Sequence, residues 1–263
     1  MKRPFAPFDI ETAKVLPEDV EDIREHRPLG VSCAVLVVGD SVPLRFFNPD
    51  DLAWTQEHAQ MFLTTLEQHI EDGIRVASWN GLGFDLDILA EEAGEGEWRE
   101  KARKIALNHY DLMFQVMCTK GYPVSLQNSC KGFGLEGKLA SVGGAKAPAM
   151  WAEGHRQEVL DYCAQDVKAT LEVFESVEYA SEFRWISKKG RPNSFDCPEL
   201  LTVSQCLELP EPNTSWMDNP IPRTAFTHWL YEDVERPMQQ PVTKPADPTP
   251  TGFGELDFIQ PRQ

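Results

Sequence analysis

Three things are scarce in this 263-residue chain, and each scarcity excludes a class of protein. The six cysteines, Cys33, Cys118, Cys130, Cys163, Cys197 and Cys206, form no C-x-x-C pair and no cluster with histidine. Neither a zinc finger nor a disulfide framework is supported, and a reducing compartment is expected. No segment approaches the run of about 18 apolar residues that a membrane span needs. Pro4, Pro7, Asp9 and Glu11 interrupt the stretch that follows Lys2 and Arg3, so a secretory leader is not expected either. The expectation is a cytoplasmic protein without a membrane partner. Positive charge is the third scarcity: Lys and Arg number 25 against 42 Asp and Glu, a net charge of -17. Phosphate neutralisation requires cations, so a protein that coats nucleic acid by electrostatics alone is excluded.

What is present suffices for a sizeable core, with 41% hydrophobic residues. The charge is uneven. Residues 101–150 hold Lys101, Arg103, Lys104, Lys120, Lys131, Lys138 and Lys146 against only Asp111 and Glu136. Such a run is either a solvated loop or a surface for a polyanion. Phe5 to Thr12 reads as a strand, and the β-branched run Leu29 to Val38 with the shorter Leu44 to Phe47 extends it into an antiparallel meander. Thr55 is placed to cap a helix reaching about Asp72, and Ile74 to Trp79 is the next strand. Asn80, Gly81 and Gly83 make a turn into a helix over about 84–93, Asp111 opens another, and the best-patterned helix spans about Glu153 to Glu178. The expected division is a catalytic domain over 1–180, an aromatic-rich extension packed on it over 181–236, and a proline-rich tail over 237–263, disordered and able to serve association. Within the extension, Trp185, Trp216 and Trp229 are expected in the core rather than stacked on bases.

Three short patterns carry candidate chemistry. Asp9 and Glu11 lie two apart in the first strand, so both carboxylates share one face, and their repulsion invites a divalent cation. The bland competitor is an edge strand with a solvated acidic face. Asp85 follows the glycine turn at a strand end, where α/β folds build sites, although an aspartate there commonly caps its own helix. Tyr162 and Asp166 lie four apart on the long helix and share a side of it; alone they would be ordinary neighbours.

Taken together, Phe-Asp-Ile-Glu-Thr from Phe8, Asn-Gly-x-x-Phe-Asp from Asn80 and Tyr-Cys-x-x-Asp-Val from Tyr162 resemble the DEDD superfamily of 3'-to-5' exonucleases, in its tyrosine-containing DEDDy branch. The frame is similar to stand-alone relatives of the family-B DNA polymerase proofreading domain and extends over residues 5–178. The resemblance implies an α/β, ribonuclease-H-like mixed sheet flanked by helices, with an irregular C-terminal extension beyond it. It also implies that Asp9, Glu11, Asp85 and Asp166 gather around two divalent ions, Mg²⁺ or Mn²⁺, with Tyr162 completing the catalytic set. Asp111 resembles an aspartate that opens a later helix in this fold, and helix capping is the preferred reading for it.

The chemistry suits these residue types. Two cations about 3.5–4 Å apart can activate a water and stabilise the leaving alkoxide of a phosphodiester, and hard oxygen ligands suit Mg²⁺ or Mn²⁺. Asp9 is expected to bridge the ions, Glu11 and Asp166 to hold the one that activates water, and Asp85 to support the one at the leaving group. A phenol, with an ordinary pKa of about 10, is a poor free base, so Tyr162 is expected to orient the nucleophile. Asn80, Phe84, Lys131, Lys138 and Lys146 are the candidates for contact with nucleic acid, with Arg156 and Lys168 as further backbone contacts. The stretch Gly132 to Lys138 fits G-x-x-x-x-G-K, but Leu139 stands where a phosphate loop needs a hydroxyl, and no buried strand leads into it. The sequence reads as a metal-dependent 3'-to-5' exonuclease acting on single-stranded 3' ends of DNA. The alternatives are an exoribonuclease and an inactive nucleic-acid-binding or scaffolding module.

Overall fold

The computed structural model describes residues 3–17, 20, 22–137 and 143–231. The chain opens with β1 (Phe5–Thr12), β2 (Val31–Leu36) and β3 (Leu44–Phe47), the expected antiparallel meander. Helix α1 (Gln56–Glu71) starts at Thr55, whose backbone N–H donates to Nδ1 of His58 at 3.2 Å, a reciprocal cap that fixes the entry to the helix. Strand β4 (Arg75–Ser78) then returns parallel to β1. It is followed by α2 (Asp85–Ala93), α3 (Glu97–Asn108), β5 (Tyr110–Asp111) and α4 (Leu112–Lys120). The five-stranded sheet has the order β3-β2-β1-β4-β5, with β4 and β5 parallel.

Period two along β1 builds two cores. Ala6, Phe8 and Ile10 face Phe62, Leu63 and Leu66 of α1, Leu86 and Leu89 of α2, and Ile105 of α3. On the other face Phe5 packs with Leu112 and Val116 of α4, and with α5 (Leu126–Phe133) and α7 (Arg156–Ala180) through Cys130, Val167 and Phe174. Between them α6 (Ala147–Ala152) inserts Trp151 against Val159 and Leu160. The long helix therefore begins three residues later than expected from its pattern, because a separate short helix with Pro148 in its first turn precedes it.

Beyond α7 the chain forms a hairpin of β6 (Glu182–Ile186) and β7 (Pro192–Asp196), then α8 (Val203–Leu207) and α9 (Thr224–Tyr231). Phe183 and Trp185 of β6 join the second core, and Trp229 of α9 joins the first. Trp216 does not follow its expected burial: it is 66% exposed and meets the edge of Tyr122 at 6.0 Å. The proline-rich tail lies outside the described residues. No helix among the described residues is long and apolar enough to cross a membrane.

Candidate active site

Strand β1 lies in the middle of the sheet, which removes the edge-strand reading of Asp9 and Glu11. Their alternation turns both away from Phe8 and Ile10 and toward α7, where the Cys163 Sγ lies 3.5 Å from the Asp9 carbonyl and 3.7 Å from its Oδ2. One ligand atom each from Asp9, Glu11 and Cys163 falls within 4.8 Å of the others. Burial, a hydrogen bond with Cys33 and the two carboxylates push the Cys163 thiol up, so it remains a neutral donor to Asp9. The oxygens of Asp9 and Glu11 therefore set the chemistry of this cluster, and they fit a hard divalent ion.

Asp85 reaches the same strand from the other side. Parallel pairing of β4 with β1 ends at Pro7, so the N–H of Ile10 finds no strand there. Asp85 Oδ1 accepts it at 3.1 Å, between the two carboxylate-bearing residues. Asp85 is the first residue of α2, directly after the N-cap Phe84. Beside its place in the first turn of α2, Asp85 thus makes a tertiary tie to β1. Asp87 has a structural partner instead, a bidentate pair with Arg27 at 3.0 and 2.5 Å.

The turn that delivers Asp85 is bonded throughout. Asp111 Oδ1 accepts from Asn80 N–H at 3.1 Å and Oδ2 from Leu82 N–H at 3.0 Å. The same Oδ1 accepts from Phe114 N–H at 3.1 Å, which makes Asp111 the N-cap of α4 as expected, with a second task in the turn. Ser78 Oγ accepts from Gly81 N–H at 3.1 Å, and the Asn80 carbonyl accepts from Gly83 N–H at 3.1 Å. Buried His109 sits behind Ser78, with Nδ1 2.7 Å from the Ala106 carbonyl and Nε2 3.1 Å from Ser78 Oγ. A carbonyl only accepts, so Nδ1 carries the proton and Nε2 accepts from the serine hydroxyl. Burial pushes the His109 pKa down, in keeping with this neutral tautomer. Asn80 adopts φ +70, and a Cβ on Gly81 would lie 2.3 Å from Ser78 Oγ, so the turn demands its glycine. Ser78 and His109 carry no signature in the sequence; the only available hint was the Asn-Gly pair after a strand.

Helix α7 supplies the remaining candidates. Along α7, Tyr162 and Asp166 flank in sequence the Cys163 thiol that touches Asp9. Both are 4% exposed, and Glu11 and Asp85 are likewise buried. Asn80 and Phe84 are partly buried in the turn, while Lys131 on α5 and Lys146 just ahead of α6 are exposed. Lys138 lies outside the described residues. Arg156 departs from its expected role: its guanidinium donates to the carbonyls of Asn48, Pro49 and Asp51 at 3.5, 3.4 and 3.2 Å and anchors the loop before α1. Lys168 pairs with Glu172 at 3.7 Å.

Residues 8–178 match the family model of the RNase_H superfamily, and the chain belongs to it. The mixed sheet flanked by helices is its ribonuclease-H-like fold. Among solved structures the chain is similar to the family B DNA polymerase from the hyperthermophilic archaeon Pyrobaculum calidifontis, at 17% identity and a TM-score of 0.47. That match covers 67% of this chain and 25% of the polymerase chain. No curated protein matches. The matched span includes the central strand β1 with its Asp9 and Glu11 carboxylates.

Proposed function

We propose that this chain is a metal-dependent 3'-to-5' exonuclease that releases nucleoside monophosphates from single-stranded DNA. The observation that carries the reading is the hydrogen bond from Ile10 N–H to Asp85 Oδ1 at 3.1 Å, which brings the aspartate of the second motif onto the strand of Asp9 and Glu11. Contact of Cys163 with Asp9 supports the third motif, Tyr162 and Asp166, belonging to the same site. Asp9, Glu11, Asp85 and Asp166 would hold two divalent ions, Mg²⁺ or Mn²⁺. Bound there, such ions supply an activated water and charge neutralisation at the leaving oxygen. Tyr162 orients the attacking water by hydrogen bonding. Asn80 and Phe84 meet the terminal nucleotide, and Lys131, Lys138 and Lys146 meet the phosphates behind it. In this division residues 1–180 carry the chemistry, 181–236 support it, and 237–263 serve association.

Incubating strands of DNA and RNA labelled at either end, with Mg²⁺ or Mn²⁺, tests activity, polarity and sugar choice together. Shortening of 5'-labelled DNA into a ladder, with mononucleotide released at once from 3'-labelled DNA, is the expected result. Faster loss of RNA than of DNA would reassign the chain as an exoribonuclease, and absence of any turnover would leave a binding module.

A further inference from the structure

We propose that Trp229 on α9 is a positioning residue for the turn over residues 80–84, so that the segment beyond the motifs completes the metal site without entering it. The inference rests on the reading of Asp85 as a metal ligand. The indole Nε1–H of Trp229 donates to the carbonyl of Leu82 at 2.8 Å, across 147 residues of sequence. Leu82 and Trp229 are both buried, so water does not compete for this bond. In the turn, the N–H groups of Asn80, Gly81, Leu82 and Gly83 are all held from within residues 78–111. The Leu82 carbonyl is therefore the handle by which α9 grips the turn from outside.

Phe226, one helical turn before Trp229, makes the second contact. A Cβ on Gly83 would lie 2.8 Å from Phe226 Cδ1 and 2.9 Å from Asn80 Oδ1, so the phenyl ring closes over the backbone of the turn. The same ring lies 6.0 Å from Phe114, in the first turn of the helix that Asp111 caps. The Gly81 carbonyl accepts from Leu86 N–H at 2.8 Å, which couples the turn rigidly to α2 and hence to Asp85. A shift of α9 is thereby transmitted over three residues to the Asp85 carboxylate, which accepts from the Ile10 N–H of β1 at 3.1 Å.

A residue that only fills the core would lower stability and leave metal affinity in the folded state alone. The test is Mn²⁺ binding to the full chain, followed by the paramagnetic resonance signal of free Mn²⁺, for wild type, Trp229→Phe and Asp85→Asn. Trp229→Phe keeps an aromatic ring and removes the donor. Its Mn²⁺ dissociation constant should rise roughly tenfold, at the low end for partners outside the ligand sphere. The metal concentration for half-maximal hydrolysis should rise by the same factor, with kcat at saturating Mn²⁺ within about twofold of wild type. A folded Trp229→Phe protein with unchanged Mn²⁺ affinity overturns the inference. If that variant does not fold, benzothienylalanine at position 229, which keeps the shape and lacks the N–H, gives the same two readouts. Weakening by Asp85→Asn without weakening at position 229 sinks this inference alone; no effect of Asp85→Asn sinks the reading of Asp85 and the inference with it.

Discussion

Asp9 and Asp166 are expected to be indispensable individually, because ligands of one constellation act as a unit. Asp9→Ala or Asp166→Ala should lower hydrolysis by at least about 10³-fold, comparable to removal of one member of other catalytic sets. The melting temperature should stay level or rise, since each change relieves carboxylate repulsion; parallel turnover and thermal-melt measurements check both. Tyr162→Phe should be milder and leave Mn²⁺ binding intact; loss of metal binding in that variant would refute its role as an orienting group. His109 offers a pH test with a definite sign. Its folded pKa is lowered by burial, so the unfolded chain takes up the proton first and stability falls as pH drops below the ordinary 6.5. Burial raises the Asp111 carboxyl, which works in the opposite direction as pH falls toward 3.8. The comparison is therefore with His109→Gln, whose melting temperature should decline less between pH 7 and 5.5 than that of the wild type.

The elements legible in the sequence were those whose pattern is local. β1 spans Phe5–Thr12 as expected because Asp9 and Glu11 alternate with Phe8 and Ile10, and α1 and α2 begin within one residue of the starts expected after Thr55 and at about residue 84. Helix α3 escaped because its buried side is made of Ala102, Ile105, Ala106 and the stem of Arg99, which contribute little to an apolar count. β5 is two residues long and exists through its pairing with Ala77 and Ser78, a tertiary fact. Likewise the carboxylates could be named from their motifs, whereas the tie of Asp85 to Ile10 follows from where β4 stops, which no local pattern encodes. At this scale Gly81→Ala is the sharpest probe. With Ser78 Oγ only 2.3 Å from the added Cβ, the turn must shift. Overpacking of this kind costs about 1–3 kcal/mol, so the melting temperature and the rate on a short oligonucleotide should both drop. A Gly81→Ala protein with wild-type rate would show that the turn does not set Asp85.

Across the whole molecule, a net charge of -17 opposes a polyanionic substrate. Nucleic acid binding should be weak in chelator and strengthen with Mn²⁺, read by fluorescence anisotropy with the wild-type chain on a strand whose 3'-terminal linkages are hydrolysis-resistant phosphorothioates. Replacing Lys131 and Lys146 with alanine should flatten the salt dependence by about 0.7 log unit per lost phosphate contact on a single strand. An unchanged slope would return both to the solvated surface. The span of the site along the chain bears on biosynthesis. Asp9 meets Cys163 across 154 residues, and Leu82 meets Trp229 across 147. Synthesis proceeds from the N-terminus, so a nascent chain displays Asp9 and Glu11 long before helix α7 can close over them. The contacts that close over Asp9 and grip the turn before Asp85 therefore form only once α7 and α9 have been made, long after the strand and turn they hold.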